Sequence, residues 1–427
     1  MEGIIMDNKI IDQLEETYSE EFTNVAGDLG ILEKAVKDKM YELGQKLLQR
    51  LVDRQANGYK GSSMGCKCGG SMKFIQHRSK DLHTLFGWIT IKRAYYHCCG
   101  CGESFFPYDA TSGIGSEQIS PGLAKACCLL AVDDSFEQSS RKLEALTGQK
   151  VSDNTIERIV CQVGSLCQDK QNEQLQSFFD NKQIPESQSN PHRLYVAVDG
   201  TTVHETDGWH ECKSGTIYFE DERKNRNSYY VSRFDNSEKF GWHVWLAACK
   251  YGCRQAKEVV YLGDGAPWIR TEHYRHFGRA TFIIDWYHAS EHIWQCSKEL
   301  FGEGTKEAEK WANEYMDLLW NGWTKRLLDK LKEHLKRYRG IKRQAIDSLI
   351  KYISTNEQQM RYDVFRAKGY DIGSGAVEGA CKNVVGKRLK QSGMIWTRLG
   401  SSSVLALRIN WLNGEWEELW QSKPLAA

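Results

Sequence analysis

The sequence predicts an α/β protein whose main domain is a mixed β-sheet interrupted by a helical insertion. After Arg193, short apolar runs (LYVAV, TIYF, VVYLG and TFII) alternate with helical patterns, as in a sheet covered on both faces. A helical stretch rich in Trp, Lys and Arg then occupies residues 295–365. Ahead of Arg193, closely spaced cysteines and several short helical patterns predict smaller modules.

Composition and charge limit the class of protein. The chain has 427 residues, of which 41% are hydrophobic and 26% charged, as is ordinary for a globular protein of several domains. The net charge of +1 identifies no partner, because a nucleic-acid binder needs local basic faces. No stretch is apolar enough to span a membrane, and the acidic N-terminus lacks the pattern of a signal peptide. We therefore expect a cytoplasmic protein with no membrane partner.

Changes in pattern divide the chain into predicted parts. They are an N-terminal helical segment (1–57), a zinc-ribbon-like module (62–110), a helix-turn-helix-like module (111–170), the main domain (193–294 and 366–427) and the helical insertion (295–365). Residues 171–192, rich in Gln, Asn and Ser, are expected to form a linker. The N-terminal segment fits a dimerisation or DNA-binding arm and a simple pair of packing helices equally well.

Five of the fourteen cysteines lie in one segment, and four of them predict a structural zinc site. The four are Cys66, Cys68, Cys98 and Cys101. The second pair has the usual spacing of a zinc knuckle, whereas the first pair is one residue short. Two strand-like runs lie between the pairs, as in a zinc ribbon, where the metal holds together a module too small for its own core. His97 and Cys99 are alternative ligands, and reduced buried thiols are the alternative to a metal site.

Residues 117–170 carry three helical patterns of the size found in helix-turn-helix proteins. Ser120 with Pro121 marks a helix start, Gly148 a helix stop, and Ser152 or Asp153 another start. In a helix-turn-helix the third helix would face the DNA groove through Asn154, Thr155, Glu157 and Arg158. Many helical bundles show the same pattern.

Three acidic residues form the candidate active site: Asp199, Asp264 and Glu378. Asp199 and Asp264, like Asp285, follow apolar runs, so we expect all three at the C-terminal ends of strands, where such sheets gather their ligands. Taken singly, the aspartates are typical of turns, and Glu378 is typical of a solvated helix. Taken together, the three acids predict a ribonuclease-H-like site that holds two Mg²⁺ or Mn²⁺ ions and cleaves phosphodiester bonds.

The segments VAVDGT, GDGAPWI, IIDWYHASEHIW and SGAVEGACKNVVGKRLKQSGMIW resemble DDE transposases of bacterial insertion sequences, most closely the Kra-type (ISKra) group. The resemblance extends over most of the chain. It implies a ribonuclease-H-like fold with an all-helical insertion, and metal-dependent cleavage and transfer of DNA strands. It also implies that Asp199, Asp264 and Glu378 bind the metal ions, and all three are intact.

Other residues are predicted to support the site or to contact DNA. Asp285 and His288 match the Asp-x-x-His signature of related transposase superfamilies and are predicted to orient a metal ligand or contact a phosphate. A buried Asp–His pair that packs a helix start is the alternative. The basic helix after the glutamate is predicted to face DNA through Lys382, Lys387, Arg388 and Lys390. Trp320 is a candidate for stacking an unpaired base, although Trp at helical spacing more often packs in a core.

The sequence therefore predicts a transposase that cleaves the inverted-repeat ends of its element and joins their 3′-hydroxyls to target DNA. Its partners would be double-stranded DNA, in the bacterial nucleoid, and further copies of the chain, since two ends must be brought together. The chain contains no G-x-x-x-x-G-K-[ST] loop, so no nucleotide cofactor is expected. The alternatives are a ribonuclease-H-like nuclease without strand transfer and a zinc-containing DNA-binding regulator.

Overall fold

The computed structural model describes residues 11–18, 28–373, 375–422 and 425, with side chains except those of 376–378. The chain forms two compact units, residues 1–162 with 418–427, and residues 163–417. The last residues of the predicted main domain thus belong to the first unit. Among the described residues, no helix has both the length and the apolar character needed to cross a membrane.

The first unit combines helices with a four-stranded antiparallel sheet. Its helices are α1 (11–18), α2 (Leu29–Asp53), α3 (Pro107–Ser112), α4 (Pro121–Ala131), α5 (Phe136–Thr147) and the beginning of α6 (Asp153–Asn181). Its strands, in spatial order, are β1 (Ser63–Gly65), β2 (Ser71–Thr84), β3 (Gly87–Cys98) and β4 (Ser104–Phe105). The predicted pair of strands between the cysteine pairs is confirmed as the hairpin of β2 and β3.

The β2–β3 hairpin buries opposite faces along its two halves. A register shift between Phe74 and Gln76 inserts an extra residue into β2. On one side of it, Ile89 and Ile91 pack in a cluster with residues of α2 and α3. On the other side, Tyr96 belongs to a second cluster near the cysteines. The hairpin therefore joins two small cores.

The predicted helix ends of the three-helix segment are confirmed. The Ser120 side chain accepts a hydrogen bond from the Leu123 amide at the start of α4, and Ser152 Oγ accepts one from the Thr155 amide at the start of α6. Gly148 ends α5 with a positive φ of 72°. However, α6 continues to Asn181, so the prediction of a linker at 171–192 is wrong in its first half. The Gln and Glu residues there are good helix formers.

The second unit contains a five-stranded mixed sheet, which confirms the α/β prediction. Its strands are β5 (Arg193–Glu205), β6 (Gly208–Glu220), β7 (Arg226–Arg233), β8 (Glu258–Gly263) and β9 (Thr281–Ile284). The spatial order is β7-β6-β5-β8-β9, antiparallel from β7 to β5 and parallel from β5 to β9.

The remaining helices surround this sheet or form the insertion. They are α7 (Ser237–Lys250), α8 (Pro267–His276), α9 (Trp286–Phe301), α10 (Lys306–Trp320), α11 (Thr324–Arg337), α12 (Gly340–Asn356), a 3-10 turn (Glu357–Met360), α13 (Tyr362–Ala367), α14 (Gly375–Ala380), a π-helical turn (Cys381–Gly386), α15 (Lys387–Leu389), α16 (Arg398–Leu412) and α17 (Trp416–Gln421). Strands and insertion share one apolar core, in which Val196 and Leu262 lie with Leu327 and Ile346.

β5 is longer than its sequence indicates. Asp199 pairs with Ser214 of β6, and the strand continues to Glu205 before the chain turns. The expectation that Asp199 ends a strand, and the alternative of a turn at Asp199–Gly200, are both wrong. Continuous pairing with β6 outweighs the low strand propensity of Asp and Gly. Pairing with β8 stops at Ala197, so Asp199 still lies just past the parallel part of the sheet.

Close packing between α6 and α16 supports the second unit. A Cβ atom on Gly164 would lie 2.5 Å from the Ser403 carbonyl oxygen. We therefore expect Gly164→Ala to force the two helices apart and to lower the free energy of unfolding by about 1–3 kcal/mol. Urea unfolding measures this change. Glu173→Ala, an exposed substitution in the same helix, should stay within ~0.5 kcal/mol of the wild type. Equal stability of both variants would contradict the close contact.

Candidate active site

Three side chains from separate elements converge at one end of the five-stranded sheet. Asp199 projects from β5, Asp264 follows β8 directly, and His288 lies in the first turn of α9. One ligand atom from each lies within 4.8 Å of the others. Two carboxylates and an imidazole at this spacing are a donor set that can hold a divalent cation.

The Asp199 carboxylate is held at both oxygens. The Gly200 amide donates to Oδ1 at 2.7 Å, and the Cys381 thiol donates to Oδ2 at 3.5 Å. Burial raises the pKa of Asp199, the amide and the thiol oppose that rise, and the neighbouring Asp264 adds to it. A cation between the two carboxylates would relieve both the burial of charge and the repulsion.

A tight turn after β8 fixes Asp264. Its Oδ1 accepts a hydrogen bond from the Ala266 amide at 2.7 Å, and its carbonyl oxygen accepts one from the Tyr352 hydroxyl at 3.4 Å. Gly265 has a φ of +86°, and a Cβ atom there would lie 2.6 Å from Cδ1 of Ile284. The turn therefore requires glycine for both backbone conformation and space.

Asp285 and His288 have different positions, although the sequence paired them. Asp285 is fully buried and caps α9, because its Oδ1 accepts a hydrogen bond from the His288 amide at 2.9 Å. The His288 ring instead lies with Asp199 and Asp264, and its Nδ1 is 3.4 Å from Oε2 of Glu291. The geometry thus makes His288 a candidate direct ligand, while Asp285 orients the helix that carries it.

The side chain of Glu378 lies outside the described part of the structure, so its predicted role stays a prediction. Its backbone belongs to α14, which packs beside β5 and β6. The chain then enters the π-helical turn, and the buried Arg408 donates to the carbonyl oxygens of Asn383 and Val384 in that turn. Turns of this kind occur frequently at functional sites.

The predicted DNA-contacting residues separate into exposed and buried groups. Lys382, Lys387 and Lys390 are exposed. Arg388 is fully buried, with its guanidinium 4.8 Å from the centre of the Trp396 ring, so its prediction as a DNA contact is wrong. Trp320 packs between Trp286 at 4.8 Å and the guanidinium of Arg366 at 3.9 Å. These contacts favour the alternative in which Trp320 packs within the protein over the prediction that it stacks on a base.

Cys381 is the residue at this site that the sequence did not identify. The Cys381 thiol contacts the carboxylate of Asp199. Burial raises the pKa of this thiol to about 12, so the thiol stays protonated and can donate a hydrogen bond. No local pattern marks a cysteine that follows a helical glutamate by three residues. The contact becomes visible only when α14 is placed against β5.

The four predicted zinc ligands come together in the first unit. The sulfur atoms of Cys66, Cys68, Cys98 and Cys101 all lie within 4.8 Å of one another. The Cys66 and Cys101 sulfurs are 3.6 Å apart, and the Cys68 and Cys98 sulfurs are 3.7 Å apart. Four sulfurs at 2.3 Å from a tetrahedral zinc would be separated by about 3.8 Å. The spacing therefore fits zinc, and it is far longer than a disulfide bond of about 2.05 Å.

Local backbone turns prepare these sulfurs. Amides of Cys101 and Gly100 point at the Cys98 sulfur and lower the pKa of that thiol to about 7, which favours the thiolate that metals bind. Gly102 has a φ of +78°, as the tight second knuckle requires. The alternative ligands His97 and Cys99 are not part of the group among the described residues.

Comparison with known proteins places the chain in a family. The model of the uncharacterised protein family UPF0236 matches residues 28–421. A "UPF0236 protein in vanSb 3′region" from Streptococcus gallolyticus is 23% identical over 359 residues, which cover 81% of this chain and 75% of that protein. The family match extends from α2 to α17. It therefore includes the four clustered cysteines of the first unit and the cluster of Asp199, Asp264 and His288. The chain belongs to the UPF0236 family.

Proposed function

We propose that this chain is a DDE transposase, which cleaves DNA at the inverted-repeat ends of an insertion sequence and transfers the 3′-hydroxyl ends to target DNA. The observation that carries the proposal is the convergence of Asp199, Asp264 and His288 at one end of the sheet. α14, which carries Glu378, packs beside β5 and β6 and so lies next to the strand of Asp199. A mixed sheet with its acids gathered in this way supports a ribonuclease-H-like catalytic domain.

The donor set determines which ions the site would hold. Carboxylate oxygens favour Mg²⁺ or Mn²⁺. Two such ions would activate a water molecule or a DNA 3′-hydroxyl and stabilise the leaving oxygen. In this proposal Asp199 and Asp264 are ligands, Glu378 completes the set, and His288 is a further ligand rather than an orienting group.

The chain's own residues hold these groups in place. The Gly200 amide and the Cys381 thiol fix the two oxygens of Asp199, and the Ala266 amide fixes Asp264. Such contacts reduce the reorganisation needed when substrate and ions bind. Asp285 acts through the start of α9, where its side chain sets the position of His288.

Exposed basic residues near the site provide a path for DNA. Lys382, Lys387 and Lys390 follow α14, and Lys390 Nζ contacts the Thr201 hydroxyl, two residues beyond Asp199 on β5. Their charges would pair with backbone phosphates close to the scissile bond. The helices α4, α5 and α6 are proposed to recognise the DNA ends in the manner of a helix-turn-helix.

A strand-transfer assay tests the proposal. Purified chain is mixed with Mg²⁺ or Mn²⁺, donor DNA carrying the element's ends and a target plasmid. Joined products from the wild type support a transposase. Cleavage without joining would instead favour a ribonuclease-H-like nuclease, and DNA binding with neither reaction would favour a zinc-containing regulator.

Substitutions at the carboxylates should separate chemistry from binding. We expect Asp199→Asn, Asp264→Asn and Glu378→Gln each to reduce cleavage by more than ~100-fold. Loss of a residue that only orients a metal ligand reduces activity by ~100-fold at most, so a direct ligand should cost more. DNA affinity, measured by fluorescence anisotropy without divalent ions, should change little because the fold is kept. An Asn or Gln variant that cleaves normally would remove that acid from the site.

His288 and Glu291 form a matched pair for testing the imidazole. If His288 binds the metal directly, we expect His288→Ala to lower activity by more than ~100-fold and to raise the Mn²⁺ concentration needed for half-maximal cleavage. Glu291→Gln removes only the exposed carboxylate 3.4 Å from that ring, so its activity should fall by less than ~10-fold. Equal effects of the two substitutions would indicate that His288 orients a metal ligand and does not bind the metal itself.

We also propose a structural Zn²⁺ held by Cys66, Cys68, Cys98 and Cys101. Elemental analysis should find one zinc per chain in the wild type. Cys98→Ser should lose it and destabilise the β2–β3 hairpin, because the thiol pairs hold the open end of the hairpin together. Cys99→Ser is the control, since this exposed neighbour lies outside the group. Retention of zinc by Cys98→Ser, or its loss from Cys99→Ser, would contradict the assignment.

A further inference from the structure

Helix α2 has two apolar sides, and within the described part of the chain only one of them is covered. Five large apolar residues that remain 39–70% exposed form what we call the outer face of α2: Leu29, Val36, Met40, Leu47 and Leu51. With 3.6 residues per turn, these positions fall within about 60° of arc along the whole helix. They remain exposed although α1 and the hairpin are both in place. Contiguous apolar surface of this kind marks an interaction site.

The opposite side of α2 already has its partner within the first unit. Gln45 and Gln49 donate to the carbonyl oxygens of Trp88 and Thr90 on β3, at 2.6 and 2.8 Å. Leu48 and Val52 pack against the cluster of Leu82, Ile89, Ile91, Tyr108 and Ile114. These contacts fix the helix and leave its outer face directed away from the hairpin.

We infer that the outer face of α2 pairs with the same face of a second copy of this chain. The helix has 25 residues and is therefore about 37 Å long. Two helices packed along that length bury on the order of 800 Å² per partner, the size of a standard stable interface. The inference concerns assembly and does not depend on the reaction proposed for the second unit.

The charge of α2 favours a second copy over nucleic acid or a membrane. Between Leu29 and Asp53 the helix carries five basic and four acidic residues. A DNA-binding or membrane-surface helix would need a clear basic excess. A nearly neutral helix approaches a copy of itself without strong repulsion, and Lys39 and Lys46 are already paired with Glu42.

The N-terminal residues are the competing occupant within the chain. The family match begins at residue 28, so it includes α2 and excludes residues 1–27. Within residues 11–18, Tyr18 contacts α2 at Lys39, which lies beside the outer face. The face is thus part of the region shared with the family, whereas the segment ahead of it is not.

Light scattering on the full chain tests the inference. We expect the wild type to be a dimer at about 10 μM, and Met40→Glu/Leu47→Glu to be monomeric with dimer affinity reduced at least ~100-fold, because buried unpaired carboxylates oppose association. Ile31→Glu is the control, since Ile31 is 52% exposed on the opposite side of the same helix. It should remain dimeric. A cooperative thermal unfolding transition would show that each variant is folded.

Three results would overturn the inference. The first is a wild-type chain that is monomeric at this concentration. The second is a double variant that remains a dimer, and the third is a control that dissociates equally. If the wild type is monomeric and becomes a dimer only when residues 1–27 are deleted, the outer face is assigned to the N-terminal segment. None of these results depends on cleavage activity, so a failure here is distinct from a failure of the proposed transposase.

Discussion

The candidate site depends on the point at which β5 loses its parallel neighbour. The pairing of β5 with β6 continues to its last residue, where Glu205 pairs with Gly208. The pairing of β5 with β8 ends much earlier, where Ala197 pairs with Leu262. Within the described residues, β5 is therefore paired on one side only at Asp199. The chain leaving β8 turns into this opening, and α9 begins beside it. A change of pairing within one strand thus creates the space that three polar side chains share.

Those side chains are held close together at an electrostatic cost. Burial and the nearby Asp264 both raise the pKa of Asp199, so the group disfavours its own ionised state. Hydrogen bonds from Gly200 and Cys381 offset part of this cost, and the apolar core beneath, including Val196 and Leu262, holds the strands in register. Carboxylates that are buried close together, and are held there by hydrogen bonds and an apolar core, are typical of a site that binds a cation.

Features with a local physical cause were predictable from the sequence. Ser120 and Gly148 mark helix ends because capping requires their side chain or backbone freedom, and the apolar runs mark buried strands. Features that depend on distant partners were not. Asp199 lies inside a strand only because β6 is long enough to pair beyond it, and Arg388 is buried because Trp396 covers its guanidinium. The contact of Cys381 with Asp199 joins residues 182 positions apart, so no local pattern could reveal it.

The π-helical turn after α14 constrains how the length of this segment can change. Arg408 stabilises the widened turn by donating to the carbonyl oxygens of Asn383 and Val384. Removing one residue between Cys381 and Gly386 would allow an ordinary α-helix to form and would release those contacts. Because a π-helical turn holds one residue more than an α-helix over nearly the same angle, the deletion would leave the backbone at position 378 in nearly the same orientation relative to α15. A single-residue deletion in a solvent-facing loop is usually tolerated, whereas the same deletion here would leave the buried guanidinium of Arg408 without its acceptors.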